Sequence, residues 1–184
     1  MTEPVHRYII AILAQDRVGI VADVSDALYQ KGANLEAISQ TVVQGWFTMT
    51  IRAAFPEEMQ TDGIRTSIEA IPGLSAQVQP FGHPTISDVS GEPYVATVTG
   101  KDKPGIVRGL TRVFAQKGVN LEDIWNEVRD GQFVVIFQIL LPAGVDPRDL
   151  RYELEQAAQH LGMRATLQHQ HIFTATNTLA MPGH

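Results

Sequence analysis

The stretch Asp16-Arg17-Val18-Gly19-Ile20-Val21 decides the fold, because the chain writes it again as Asp102-Lys103-Pro104-Gly105-Ile106-Val107. In both places an apolar extended run leads in, an amphipathic stretch leads out, and a glycine closes it. An offset of 86 keeps the two copies in register without gaps, carrying Tyr8 to Tyr94 and Gly19 to Gly105. The same offset carries Gln30-Lys31-Gly32 to Gln116-Lys117-Gly118 and Asn34-Leu35-Glu36 to Asn120-Leu121-Glu122, while Gly45 and Pro56 land on Gly131 and Pro142. Self-similarity at a fixed period marks a repeated structural unit. Two copies are too few for a solenoid, so each is expected to carry its own core, and the two then to pair.

A chain of 184 residues accommodates two such domains. The repeat sets them at 1–82 and 93–173, with 83–92 (HPTISDVSGE) as a polar linker and 174–184 as a loose tail. Domains of this size fold but gain by burying further apolar surface against a partner. A formal charge of −6 and a pI near 5.4 argue against a phosphate-binding face, so no direct contact with nucleic acid is expected. The absence of cysteine removes disulfides, zinc-thiolate sites and thiol chemistry together. Met1 to His6 has neither the basic region nor the apolar run of an export signal, and no apolar run approaches a membrane span. The expectation is a cytoplasmic protein without membrane contact.

Tyr8 to Ala14 is apolar at nearly every position, as in a central strand. Ile20, Val21, Val24, Ala27 and Leu28 recur at helical spacing as one buried stripe, and Gly32 stops the helix. Asn34 to Val43 and Phe47 to Phe55 read as strands joined by a hairpin turn at Gln44-Gly45. Met59 to Ile71 reads as a helix and Leu74 to Phe81 as an edge strand, with Pro80 late in it. The second copy repeats the plan. Pro104 is expected in the first turn of its leading helix, Asp130-Gly131 at the hairpin, Asp146-Pro147 at the start of the last helix, and Met163 to Phe173 as a closing strand. Strand-helix-strand-strand-helix-strand is the α+β, ferredoxin-like βαββαβ arrangement: a four-stranded antiparallel sheet with both helices on one face, here twice.

Catalytic constellations are thin: no nucleophile elbow, Walker loop or dinucleotide fingerprint occurs. His169 and His171 share a strand face but lack a third ligand, so no metal and no cofactor are expected. His6, His83, His160 and His184 are isolated, and Trp46 and Trp125 are expected to pack at the ends of hairpin strands. The repeated loop is the exception. At a helix start several backbone N–H groups lack partners and the helix dipole is positive, which favours a carboxylate or phosphate. Gly19 and Gly105 let a ligand approach that first turn. Asp16 and Asp102 could cap the amides or accept an ammonium, and Asn34 and Asn120 offer both donor and acceptor. These features suit an amino-acid zwitterion. They equally suit a structural reading in which Asp caps, Gly allows close helix-sheet packing and Asn tolerates a left-handed turn.

The D-R-V-G-I-V and D-K-P-G-I-V loops, each followed by an amphipathic helix, K-G-x-N-L-E and a hairpin, resemble the pattern of ACT domains, regulatory amino-acid-binding modules with the βαββαβ plan. The resemblance covers both copies, and two such units without a fused enzyme resemble the glycine cleavage system transcriptional repressor family. It implies a non-enzymatic regulator that binds a small amino acid of the glycine or serine type at interfaces between ACT units. Such a regulator acts through a protein partner in transcriptional control of amino-acid metabolism. A homodimer is expected, the alternative being that the two units of one chain satisfy each other. Carried over residue by residue, the effector site would comprise Asp16, Val18, Gly19, Ile20 and Asn34 in the first unit. In the second it would comprise Asp102, Pro104, Gly105, Ile106 and Asn120. Val18 stands where the family usually has proline, and Asp16 and Asp102 where many members have asparagine. A carboxylate there repels a ligand's own unless the ligand's ammonium faces it. Two alternatives remain: the same fold as a ligand-free association module, or an acylphosphatase-like enzyme using Arg17 and Asn34.

Overall fold

A computed structural model describes residues 5–82, 90–129 and 131–176. Most of the expected linker and tail, with His83, Asp130 and His184, lies outside the described residues. The chain divides into two compact units, Met1–Thr85 and Ile86–His184. The first runs β1 (His6–Gln15), α1 (Ile20–Tyr29), β2 (Asn34–Val43), β3 (Trp46–Phe55), α2 (Thr61–Glu69) and β4 (Leu74–Pro80). The second runs β5 (Glu92–Gly100), α3 (Ile106–Gln116), β6 (Asn120–Arg129), β7 (Gln132–Leu141), α4 (Pro147–His160), β8 (Met163–His169) and α5 (Gln170–Thr176). Each forms a four-stranded antiparallel sheet, ordered β2-β3-β1-β4 and β6-β7-β5-β8. Both units therefore have the ferredoxin-like plan, and Pro80 does fall on an edge strand.

Alternation along the strands selects the face that meets the helices. In β1, Tyr8, Ile10, Ile12 and Ala14 are buried among Val24, Leu28, Ile64 and Ile68 of α1 and α2. In the second unit Ala96 and Val98 meet Leu110, Phe114, Leu150 and Leu154. The offset is kept but the volumes are redistributed: Phe114 packs edge-on against Phe137 at 5.3 Å, where the first unit has Leu28 and Ile51. The first unit instead pairs Tyr8 with Phe55 at 5.5 Å.

Turn chemistry holds the register. Gln44 and Gly45 both have positive φ (49° and 82°), which matches the right-handed twist of the strands they join. The same irregularity, between Leu35 and Ala37 and between Leu121 and Asp123, interrupts β2 and β6. Asp146 accepts the Arg148 N–H at 2.8 Å and opens α4 as a cap.

Several expectations are corrected. The closing strand ends at His169, and α5 follows it, so His169 and His171 do not share a strand. Helix α2 begins at Thr61 and not at Met59, because the Tyr8 hydroxyl donates to the Met59 carbonyl (2.8 Å) and accepts from its N–H (2.9 Å). Val21 and Val107 are 40% and 42% exposed, so the buried stripe of each leading helix is narrower than the helical spacing suggested. Trp125 lies mid-strand, opposite Ile136.

Candidate functional site

Gly19 and Gly105 are the N-cap residues of α1 and α3, with nearly identical left-handed backbones (φ 91°, ψ −3° and φ 93°, ψ −1°). An L side chain is strained in that region, which is why glycine stands there. Close helix-sheet packing is not the reason. A Cβ on Gly105 would meet nothing within 4 Å, and one on Gly19 only the Arg17 Nη1, at 3.8 Å. Helix α3 starts at Ile106, so Pro104 precedes the cap and does not sit in the first helical turn.

No side chain caps either helix, so Asp16 and Asp102 do not cap the first-turn amides. The first intrahelical bonds are Asp23 N–H to the Gly19 carbonyl and Gly109 N–H to the Gly105 carbonyl, each 2.9 Å. The N–H groups of Ile20, Val21 and Ala22, and of Ile106, Val107 and Arg108, precede those bonds and lack intrahelical acceptors. The Ile20 and Ile106 side chains are each 2% exposed, so these residues present amides and keep their side chains in the core. Val18 is 99% exposed.

The surroundings of the two loops differ. In the first unit Arg17 Nη2 contacts Asp23 Oδ2 at 2.6 Å, and Nη1 donates to the Val18 carbonyl at 3.2 Å, so a guanidinium lies across the helix start. A cavity of about 360 Å³ beside it is lined by Asp16, Arg17, Trp46 and Gly73 among others. In the second unit Lys103 replaces Arg17 and Gly109 replaces Asp23, and the first turn carries no acid.

Asn34 and Asn120 do not join these loops within their own units. Asn34 pairs with Ala54, which pairs with Arg7 at the beginning of β1, whereas the Asp16 loop follows Gln15 at its end. Eight residues of strand separate the two levels, about 27 Å. Asn120 is likewise opposite Leu140, level with Pro93. Neither asparagine adopts the left-handed turn, since Gln44 is the non-glycine residue with positive φ among the described residues. The acylphosphatase reading fails on the same geometry: Arg17 is at one end of the unit and Asn34 at the other.

One ionic cluster joins residues too far apart in sequence for any local pattern to mark. Glu36, at the irregularity in β2, accepts from Arg7 Nε and Arg52 Nε, each at 3.0 Å. The hydrogen bond from Arg7 leads in holding the Glu36 carboxyl below the usual glutamate range, with Arg52 adding to it. The offset places Pro93, Glu122 and Gln138 at the corresponding positions, so the second unit has no such clamp. Among the described residues no group of three or more His, Cys, Asp or Glu could hold a metal ion, and no helix is long and apolar enough to cross a membrane.

Comparisons with known proteins agree with this geometry. ACT-domain family models match residues 8–73 and 92–168. A UPF0237 protein of Methanocaldococcus jannaschii is 38% identical over 80 residues, 43% of this chain and 89% of that protein. An uncharacterised protein of Galdieria sulphuraria superposes with a TM-score of 0.73 at 24% identity, covering 90% of this chain and 99% of that one. A candidate glycine cleavage system transcriptional repressor superposes with a TM-score of 0.62 at 18% identity, over 89% of this chain and 96% of that one, a likeness of fold. Two helix-start loops of one backbone geometry, each in a βαββαβ unit matched by an ACT model, make this chain a member of the ACT-domain family with two ACT domains in tandem.

Proposed function

We propose that this chain is a non-enzymatic regulatory protein that binds a small amino acid, of the glycine or serine type, and acts through a protein partner to control amino-acid metabolism. The uncapped start of α3 carries the reading: three first-turn amides without intrahelical acceptors, behind a left-handed Gly105, with no acid in the turn. Such amides suit the ligand's carboxylate. The Asp102 carboxylate accepts no hydrogen bond among the described residues and suits its ammonium.

Because Asn120 is at the other end of its own unit, the asparagine that completes a site belongs to another ACT unit. In this reading the partner unit comes from a second copy of the chain, and the exposed Val21 and Val107 beside the free amides are the apolar surface it covers. Glycine and serine are expected to raise the melting temperature of the wild-type protein, since a ligand bound to the native state alone stabilises it. Asn120→Ala is expected to remove that rise without lowering the melting temperature of the unliganded protein. No rise with any of the twenty amino acids overturns the ligand reading.

The ligand-free association module has its own support. Edge strand β2 carries Ile38, Val42 and Val43 at 50%, 43% and 60% exposure, an edge open to strand pairing. A dimer whose stability no amino acid changes would favour it.

A further inference from the structure

A second place in the chain differs between the units in a way that the amino-acid reading does not use. In the first unit, the polar groups between the start of α2 and Tyr8 of β1 are paired with one another. Tyr8 is 4% exposed with its hydroxyl held by Met59, and Arg65 is bound to Asp62 and Glu69 at 3.0 Å each. At the corresponding positions the second unit has Tyr94, Val145, Arg151, Arg148 and Glu155. One acid of the first unit has thus become an arginine.

The result is an open groove of about 950 Å³ between the first turn of α4, the end of β8 and α5. Arg148 and Arg151, three residues apart, stand on one side of α4. Arg148 has no acidic partner among the described residues, nor is Glu155 paired with Arg151. Arg151 Nη2 donates to the Leu167 carbonyl at 3.2 Å, bracing the guanidinium at the groove. The carboxylate in the lining, Asp146, is engaged in capping α4. Opposite, Tyr94 stands edge-on to His169 at 5.2 Å, His169 is edge-on to His171 at 4.9 Å, and Ile172 is 55% exposed. Two guanidiniums and an imidazole above an apolar wall suit an anion with an apolar body.

We propose that this groove of the second unit binds a small organic anion, with its carboxylate or phosphate between Arg148 and Arg151 and its apolar body against Tyr94 and Ile172. The site is independent of the helix-start loop. Tyr94 pairs with His169 at one end of the sheet, whereas Gly100, which leads to Gly105, pairs with Met163 at the other.

The test is an amide NMR titration of the full chain with phenyl phosphate, phenylacetate and inorganic phosphate. Saturable shifts are expected around 145–151 and 167–172 with at least one organic anion, which should bind at least about tenfold more tightly than inorganic phosphate. Arg148→Glu, which removes a side chain with no other partner among the described residues, is expected to weaken that binding about tenfold or more. A preference for phenyl phosphate identifies phosphate esters as the natural class, and a preference for phenylacetate identifies carboxylates. No saturable shift with either organic anion, equal affinity for inorganic phosphate, or unchanged binding in both Arg148→Glu and Arg151→Gln overturns the proposal.

Discussion

The two helix-start loops have the same backbone and different neighbours. Gly19 and Gly105 agree within a few degrees, so both helices begin with amides that nothing in their own chain segment caps. Yet Arg17, tied to Asp23, lies across the first loop, while Lys103 and Gly109 stand at those positions in the second, whose first turn carries no acid. Duplication has kept the device that frees the amides and varied what stands before it. The far ends of the units diverge in the same manner: Tyr8 is sealed by Met59, and Tyr94 borders a cationic groove. Fold and site are thus under separate control, the first through glycine φ angles and core volumes, the second through a few surface charges.

The largest effects test the cores. Phe114→Ala should cost about 3–5 kcal/mol, and its counterpart Leu28→Ala about 2–5 kcal/mol. Urea unfolding followed by Trp125 in a Trp46→Phe background, and by Trp46 in a Trp125→Phe background, measures each. A smaller loss at Phe114 would show that the edge-on pair with Phe137 closes over the cavity. Gly19→Ala and Gly105→Ala should each cost about 1–2 kcal/mol, equally in both units, because the penalty is backbone strain alone. Unequal losses in the same unfolding assay would mean that the loops differ in backbone as well as in side chains.

Tyr8→Phe should cost about 1–2 kcal/mol by leaving the Met59 backbone groups unpaired, and Tyr94→Phe less than about 0.5 kcal/mol. Equal melting-temperature shifts would erase the contrast between the two ends. A pH series sharpens it further. The folded-state pKa of Glu36 is depressed, so its stabilisation is present above the ordinary glutamate range and is lost as pH falls through the folded value. Glu36→Gln should remove that part of the acid dependence, read as a flatter melting temperature against pH below the ordinary range. The smallest stability effect is expected for Arg17→Ala, within about 0.5 kcal/mol for an exposed pair.

Much of this was legible in the residues. The constant offset identified two units, Gln44-Gly45 and Asp146-Pro147 announced a turn and a cap, and the apolar alternation of β1 selected its buried face. Helix α5 was not legible, because His169-Gln170-His171-Ile172-Phe173 has no glycine or proline to end a strand. Val21 and Val107 fit a helical stripe by spacing, but spacing does not say how wide a stripe the sheet covers. Asn34 stands fifteen residues after Gly19 in sequence and yet at the other end of the unit, a separation that only strand register reveals. The Glu36 clamp and the Arg148–Arg151 groove join residues from different elements, and no local pattern marks them.

The most direct test of the central claim is calorimetric titration of the wild-type protein and of Gly105→Ala with glycine and with serine. Open amides at the start of α3 predict saturable heat for the wild type with at least one of them, and its loss in the variant. Saturable heat that survives unchanged in Gly105→Ala, or none in the wild type, would contradict the claim that this helix start is where the ligand binds.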